Sequence, residues 1–523
     1  MERLHDACGV VGIYAREHEE KSIDVRRYLT LALSALQHRG QESAGMAVYD
    51  NEGKIFHRAG MGKVREVFSD TGTGLPVTHC GIGHVRYSTT GSSCVENAGP
   101  FVVGTEPDTY ETLHEDRVSN DTFFTTRTFG NDASSFSQEW IAVAHNGNLV
   151  NGPALLEELP QKLLNSTTDS EAIAWLLLHA DGPTLRERMI AIFPLLRGAY
   201  SLVILAQGKL YAMRDPWGMR PLCMGRIGES WIIASESCAL DRIGADFVRK
   251  VEPGELITID EEGMHSEILV RLPRQTLCVF EYIYFSDATS QLNGRYVYTV
   301  REALGRELAR EHPAAADMVV PVPDSAIPAA LGYAAASGLP FGEAIIKNRY
   351  SDRSFIKPDQ RLRQLEVDLK FNLVKPKIAG ARLVIVDDSI VRGNTMKRLV
   401  AALRHNGAKE IHLRSSAPPL RHPCSFGIDI PQETELIAAG RSIQEIADYI
   451  GVDSLGYLSI AGLGRAIASA SGHSIGDDEA ARNSLHSEFC YGCMEKQGWP
   501  FNPVEARWIA PNKREMAILR GQK

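Results

Sequence analysis

The sequence predicts two domains in tandem: a mixed α+β domain of sheets covered by helices, then an α/β domain on a doubly wound parallel sheet. Three observations carry this. A chain of 523 residues exceeds what one hydrophobic core ordinarily organises. As far as about residue 265, short β-rich runs dominate. Beyond about residue 278 the rhythm becomes apolar strand, Gly-containing turn, helix, which is what a parallel sheet with helical crossovers imposes. The expected organisation is residues 1–7 as a propeptide, a first domain over 8–265, a second over 266–470, and a tail over 471–523.

In the first domain strands are expected at 9–14, 45–49, 81–87, 140–145, 200–206, 209–214 and 231–235, and helices at 24–37 and 169–179, from periods of two and 3.6 respectively. Residues 102–139 are dense in Thr, Ser, Asp and Asn and poor in aliphatics, so an inserted surface loop is expected there. In the second domain a strand at 318–323 feeds a helix at 327–337, and a strand at 383–386 feeds a helix at 396–405.

A formal net charge of -9 and a pI near 6.0 leave no basic footprint for nucleic acid. No apolar run approaches the roughly 18 residues of a membrane span. The first seven residues lack the apolar stretch of a secretory signal, so a cytoplasmic protein is expected. Nine cysteines, an odd number spread over a long chain, favour thiols used in chemistry or metal binding over a disulfide framework.

Cys8 lies between the start and a Gly9-Val10-Val11-Gly12 run whose small residues leave room beside the sulfur. A free thiol, with a pKa of about 8.5, needs a base to act as a nucleophile. If residues 1–7 are removed, the new α-amino group, with a reference pKa of about 7.7–8.0, sits beside the thiol and is suited to that role. The remaining parts of an amide-hydrolysing site follow. Arg86, in Gly83-His84-Val85-Arg86-Tyr87, is suited to a bidentate grip on a substrate carboxylate. The Asn146 amide and the Gly147 N–H, in His145-Asn146-Gly147-Asn148, are suited to an oxyanion hole, worth about 3 kcal/mol per donor. Asp169 opens a helix and is suited to a substrate ammonium. Together they form a complete site for an α-amino acid with a side-chain amide.

A second constellation follows the 383–386 strand. Asp387 and Asp388 at a strand end are suited to a ribose diol or a metal ion, and backbone N–H groups from Ser389 to Thr395 at the start of the next helix are suited to a phosphate. Among the cysteines, Cys490 and Cys493 form a C-x-x-C pair, and Cys278 and Cys424 offer two more sulfurs. By count, four thiolates suit zinc or a [4Fe–4S] cluster equally well.

Cys8-Gly9-Val10-Val11-Gly12, Leu36-Gln37-His38-Arg39-Gly40-Gln41-Glu42, Gly83-His84-Val85-Arg86-Tyr87, His145-Asn146-Gly147-Asn148 and Arg214-Asp215-Pro216-Trp217-Gly218-Met219-Arg220-Pro221 resemble the glutaminase domain of the glutamine phosphoribosylpyrophosphate (PRPP) amidotransferases. The string 383–395 resembles the PRPP motif of type I phosphoribosyltransferases. The resemblance implies an N-terminal-nucleophile αββα sandwich followed by a type I phosphoribosyltransferase fold. The implied reaction makes 5-phosphoribosylamine from PRPP and glutamine, the first step of purine synthesis, with ammonia passing from Cys8 to the sugar. It further implies that Arg86 and Asp169 hold glutamine while Arg39 supports the site. Asp324 would sit on the pyrophosphate loop, and Ser325, Asp387 and Asp388 would coordinate Mg²⁺. Lys347, Arg353, Lys370, Ser389, Arg392, Gly393, Asn394 and Thr395 would contact PRPP, some of them from a flexible loop. The residues around Cys278 and Cys424, and the propeptide, resemble the branch in which Cys278, Cys424, Cys490 and Cys493 bind a [4Fe–4S] cluster. A homotetramer inhibited by purine nucleotides is also implied. Two positions depart from the family pattern: Asp368 stands where a basic residue is usual, and Asn394 where Thr is usual.

Overall fold

A computed structural model describes residues 8–16, 23–50, 54–68, 74–87, 94–104, 110–119, 122–129, 139–159, 166–348, 371–428, 430 and 432–503, with backbone alone between 110 and 129. The propeptide, Arg353, Asp368 and Lys370 lie outside these residues. The chain divides into two compact units. The first runs to Leu277 and takes in residues 424–428 and 500–503; the second comprises Cys278–Pro423 and Ile430–Trp499.

The first unit is a sandwich of two antiparallel sheets with helices outside. Among the described residues one sheet has nine strands, in the order Asp246–Lys250, Cys223–Ile227, Ser230–Ala234, Gly9–Tyr14, Cys80–Arg86, Ser43–Tyr49, Ile55–Met61, Thr122–Phe129 and Tyr110–Ser119. The other has six, in the order Gly263–Ile268, Glu255–Asp260, Lys209–Arg214, Gly198–Ala206, Trp140–Leu149 and Phe101–Gly104. The two-residue period of the Gly9–Tyr14 strand sorts its side chains between layers. Val10 and Tyr14 join the core between the sheets, whereas Val11 and Ile13 pack with Leu29 and Leu33 of the Val25–Ala35 helix. Gly12 faces inward, and a Cβ there would stand 2.6 Å from Val203 Cγ1, so glycine lets the sheets close. The Asp169–His179 helix covers the second sheet.

Residues 102–139 do not form the expected surface loop. Phe101–Gly104 pairs with Trp140–Leu149. Tyr110–Ser119 and Thr122–Phe129 form an antiparallel hairpin that continues the nine-stranded sheet through Ile55–Met61. Thr and Phe at seven of the last eight hairpin positions give strand propensity without aliphatics.

The second unit is built on a four-stranded parallel sheet in the order Met318–Pro321, Arg382–Asp387, Glu410–Ser415, Ser454–Tyr457. Leu383, Val384, Ile385 and Val386 are all fully buried, as a strand covered by helices on both faces requires. Residues beyond 470 also pack here: the Asp478–Glu488 helix lies so close to Ile460–Ser469 that a Cβ on Gly464 would stand 2.3 Å from the Ala481 carbonyl oxygen. Among the described residues, no helix is long and apolar enough to cross a membrane.

The Val297–Glu311 and Ile327–Ser337 helices approach backbone to backbone. A Cβ on Gly332 would stand 1.9 Å from the Glu302 carbonyl oxygen, and one on Gly305 1.8 Å from that of Ala329. Gly332→Ala is expected to destabilise the second unit by roughly 1–3 kcal/mol, the usual cost of overpacking. A lowered urea midpoint in that unit's fluorescence or hydrogen exchange would bear this out; an unchanged midpoint would show that the helices slide apart freely.

Candidate active site

Cys8 is buried at the head of the Gly9–Tyr14 strand, with its Sγ 4.0 Å from the Tyr87 carbonyl oxygen. The Arg39 Nε donates to the Cys8 carbonyl at 3.2 Å. The Arg39 guanidinium is itself paired with Glu236 at 2.6 Å, and neither side chain has any exposed surface. His38 Nε2 lies 2.8 Å from the same Glu236 oxygen. Gly40 makes this arrangement possible, because a Cβ there would stand 2.5 Å from the Arg86 backbone nitrogen. Arg86 ends the Cys80–Arg86 strand and is buried.

Ser235 connects this cluster to the second sheet. Its Oγ accepts the Val10 N–H at 2.9 Å and Asn146 Nδ2 at 3.5 Å, while its own N–H donates to the Val10 carbonyl at 3.0 Å. The Asn146 Oδ1 is buried without a hydrogen-bond partner among the described residues. Gly147, within the Trp140–Leu149 strand, has φ of 150°, and a Cβ would stand 1.9 Å from the Ala199 carbonyl oxygen, so no other residue fits this position. Asp169 accepts the Leu149 N–H at 2.7 Å and lies 3.8 Å from His145 Nδ1, which also meets Ser170 Oγ at 3.0 Å. The sequence-predicted set Cys8, Arg39, Asn146 and Gly147 is therefore joined through Ser235 and Glu236, and Asp169 is joined to the residues flanking Gly147. Neither Ser235 nor Glu236 was singled out from sequence. Their only local signal is a Ser-Glu pair directly after the Ser230–Ala234 strand.

In the second unit the carboxyl ends of two parallel strands face the phosphosugar residues. Asp388 accepts hydrogen bonds from the hydroxyls of Ser325 and of Ser389, the latter at 2.8 Å. Its N–H donates to Asp387 Oδ1 at 3.0 Å. Gly393, with φ of 81°, turns the chain into the Asn394–His405 helix, whose first turn holds Thr395. Asn394 Oδ1 accepts from the Tyr449 hydroxyl. Lys347 is paired with Asp324, and Arg392 with Glu435 at 2.6 Å.

None of the nine cysteines, all among the described residues, is in a disulfide. Cys278, Cys490 and Cys493 are buried in the second unit, where Val279 N–H donates to the Cys490 carbonyl at 3.0 Å, and the N–H groups of Arg421 and His422 donate to that of Cys493 at 2.9 and 3.0 Å. Cys424 Sγ accepts the Phe426 N–H at 3.3 Å.

A thiol and amide donors on an αββα sandwich, with a carboxylate-and-hydroxyl loop at the carboxyl ends of a parallel sheet, define a class: a glutamine amidotransferase fused to a phosphoribosyltransferase. Residues 129–242 match the family model for a glutamine amidotransferase domain, and residues 297–423 that for a phosphoribosyl transferase domain. The chain is 44% identical over 464 residues to the amidophosphoribosyltransferase of Methanothermobacter thermautotrophicus, covering 88% of this chain and 90% of that one. It is 42% identical over 501 residues to that of Synechococcus elongatus, covering 94% and 91%. The solved glutamine PRPP amidotransferase of B. subtilis, complexed with ADP and GMP, superposes with a TM-score of 0.79 at 36% identity over 95% of this chain and 98% of that one. The chain belongs to the amidophosphoribosyltransferase family. Its reaction is the glutamine-dependent amidation of PRPP, the first step of purine biosynthesis.

Burial, reinforced by the Arg86 and His145 charges, pushes the His84 imidazole down to about 3, and burial also lowers that of His145. His84 Nε2 meets the His145 carbonyl at 3.1 Å, so the neutral ring donates there. Its folded pKa lies below the unfolded value of about 6.5, and the unfolded chain binds the proton first as pH falls. The stability this group contributes is complete above pH 6.5 and is lost toward pH 3, by roughly 1.4 kcal/mol per pH unit. His84→Gln is expected to flatten that part of the slope in urea titrations of the first unit; an identical slope would assign the loss to other groups.

Proposed function

We propose that Cys8, made N-terminal by removal of residues 1–7, is the nucleophile of the glutaminase half-reaction. Arg86 holds the glutamine α-carboxylate and Asp169 the α-ammonium. The freed α-amino group accepts the Sγ proton as sulfur attacks the γ-carbonyl carbon. Asn146 Nδ2 and the Gly147 N–H stabilise the resulting oxyanion, where preorganised donors act most strongly. The same amine returns the proton to the leaving nitrogen, so ammonia departs and a γ-glutamyl thioester remains, which water hydrolyses to glutamate. Ammonia passes within the protein to the PRPP site, forms the new C–N bond at C1 and displaces pyrophosphate. The observation that carries this reading is the hydrogen bonding of Arg39 to Cys8 and of Val10 and Asn146 to Ser235 around the head of the Gly9–Tyr14 strand.

At the second site the residues in 387–395, with Asp324, Lys347, Arg353 and Lys370, bind PRPP. Ser325, Asp387 and Asp388 present the oxygen ligands that Mg²⁺ prefers, and the ion would neutralise the pyrophosphate. Cys278, Cys424, Cys490 and Cys493 would hold a [4Fe–4S] cluster; four cysteines outside any disulfide and the N–H···S bond to Cys424 support this assignment. The cluster would act as a cross-link, since neither half-reaction transfers electrons. The ADP and GMP bound to the B. subtilis relative support purine nucleotides as inhibitors. A cytoplasmic homotetramer completes the reading.

Cys8→Ala is expected to abolish glutamine-dependent turnover, by at least about 10³-fold, while ammonium-dependent phosphoribosylamine formation persists. Intact mass of anaerobic protein should show a chain starting at Cys8 and carrying four irons and four sulfides. Glutamine-dependent turnover surviving in the variant would overturn the nucleophile assignment, and a native mass with zinc or no metal would overturn the cluster.

A further inference from the structure

Residues 424–428 belong to the first unit, although Pro423 before them and Ile430 after them belong to the second. The excursion ends on the stretch of strand that carries the amide donors. Asn148 Nδ2 donates to the Ser425 carbonyl at 2.9 Å, and the buried Arg220 donates to the Phe426 carbonyl at 3.0 Å. Gly427, with φ of 95°, lies so close that a Cβ there would stand 3.1 Å from the Gly147 carbonyl carbon, from Asn148 Cβ and from the Arg220 guanidinium. The Phe426 ring packs edge-on against Phe501 at 5.1 Å, and Phe501 packs at a tilt against Trp217 at 4.6 Å.

From this we propose that residues 425–427 form a strap that fixes the Gly147–Asn148 stretch of the Trp140–Leu149 strand, making Asn148 and Gly427 positioning residues for glutamine hydrolysis. The inference rests on the role given above to Asn146 and Gly147. Its physical basis is directional. A Cβ on Gly147 would meet the Ala199 carbonyl oxygen at 1.9 Å, and one on Gly427 would meet the Gly147 carbonyl carbon at 3.1 Å, so the peptide carrying the Gly147 N–H is closely confined. An oxyanion donor is effective only when it is held in place before charge develops. The strap meets Asn148, Arg220 and the Gly147 backbone, so its effect is expected on the oxyanion donors and hence on the transition state more than on the grip on the glutamine head group.

The test uses full-length, anaerobically prepared protein with Asn148→Ala and Gly427→Ala. Three readouts are taken: glutamine hydrolysis, ammonium-dependent turnover, and inhibition by the γ-aldehyde analogue of glutamine, whose adduct with Cys8 carries the same oxyanion. Each variant is expected to lose roughly 10- to 100-fold in kcat with little change in the KM for glutamine, the pattern of an interaction made only in the transition state. The aldehyde should weaken by a similar factor, and ammonium-dependent turnover should match the parent. Wild-type kcat and aldehyde affinity in Asn148→Ala would overturn the strap, as would losses in which KM rises or ammonium-dependent turnover falls in step. Should Gly427→Ala fail to fold, Asn148→Ala decides alone, since it removes one hydrogen bond without adding an atom. A parent protein with no glutaminase activity would instead remove the oxyanion assignment itself, a result distinct from a parent that is active and variants that match it.

Discussion

The glutaminase site depends on one dry ion pair. Arg39 and Glu236 share a site with no exposed side-chain surface, where each charge alone would cost several kcal/mol in lost hydration. A guanidinium does not shed its proton, so the two must stay together, and their contact fixes where the loop after the Val25–Ala35 helix meets the end of the Ser230–Ala234 strand. Everything around the nucleophile is referred to that point. Arg39 holds the Cys8 carbonyl, and Gly40 lets the loop lie on the backbone of Arg86. Ser235, next to Glu236, bonds Val10 and Asn146.

The second site is organised by different means. Its carboxylates stand at the open end of a parallel sheet, the position such sheets leave for ligands, and the hydroxyls of Ser325 and Ser389 already satisfy Asp388. The cations are held loosely by comparison. Lys347 and Arg392 sit in ion pairs whose members are about a third to two-thirds exposed, and such pairs are worth about 0–1 kcal/mol. If these cations contact PRPP as proposed, exchanging Asp324 or Glu435 for a substrate phosphate would cost little.

This contrast explains what could be read from the sequence. The 383–395 string is contiguous, so strand, carboxylates, anion loop and helix start are legible together, and the strand and helix appear where expected. The Asp169–His179 helix likewise appears where its apolar period placed it, and the structure adds Thr168 as its cap. Glu236 was not legible, because its partner Arg39 is 197 residues away and a buried carboxylate leaves no periodic trace. The 110–129 hairpin was missed because aliphatic content was taken as the mark of a strand, whereas Thr and Phe supply the propensity. Residues 424–428 carried a cysteine signal alone; their place on the glutaminase strand follows from the tertiary path of the chain.

Backbone geometry supplies the catalytic direction where side chains supply position. Gly147 and Gly427 both occupy the region of positive φ that side chains disfavour, and each is flanked by backbone atoms at distances that exclude a Cβ or leave no slack for one. A donor oriented in this way does not rely on a hydrogen bond that water might replace, and it does not need to reorganise as the oxyanion forms. Asn146 is the complementary case. Its Nδ2 has a long bond to Ser235 at 3.5 Å, weak enough to yield to a developing negative charge. On the assignment proposed above, this stretch of strand combines one donor fixed by packing with one held lightly in reserve, and the two would together favour the tetrahedral intermediate over the planar amide that precedes it.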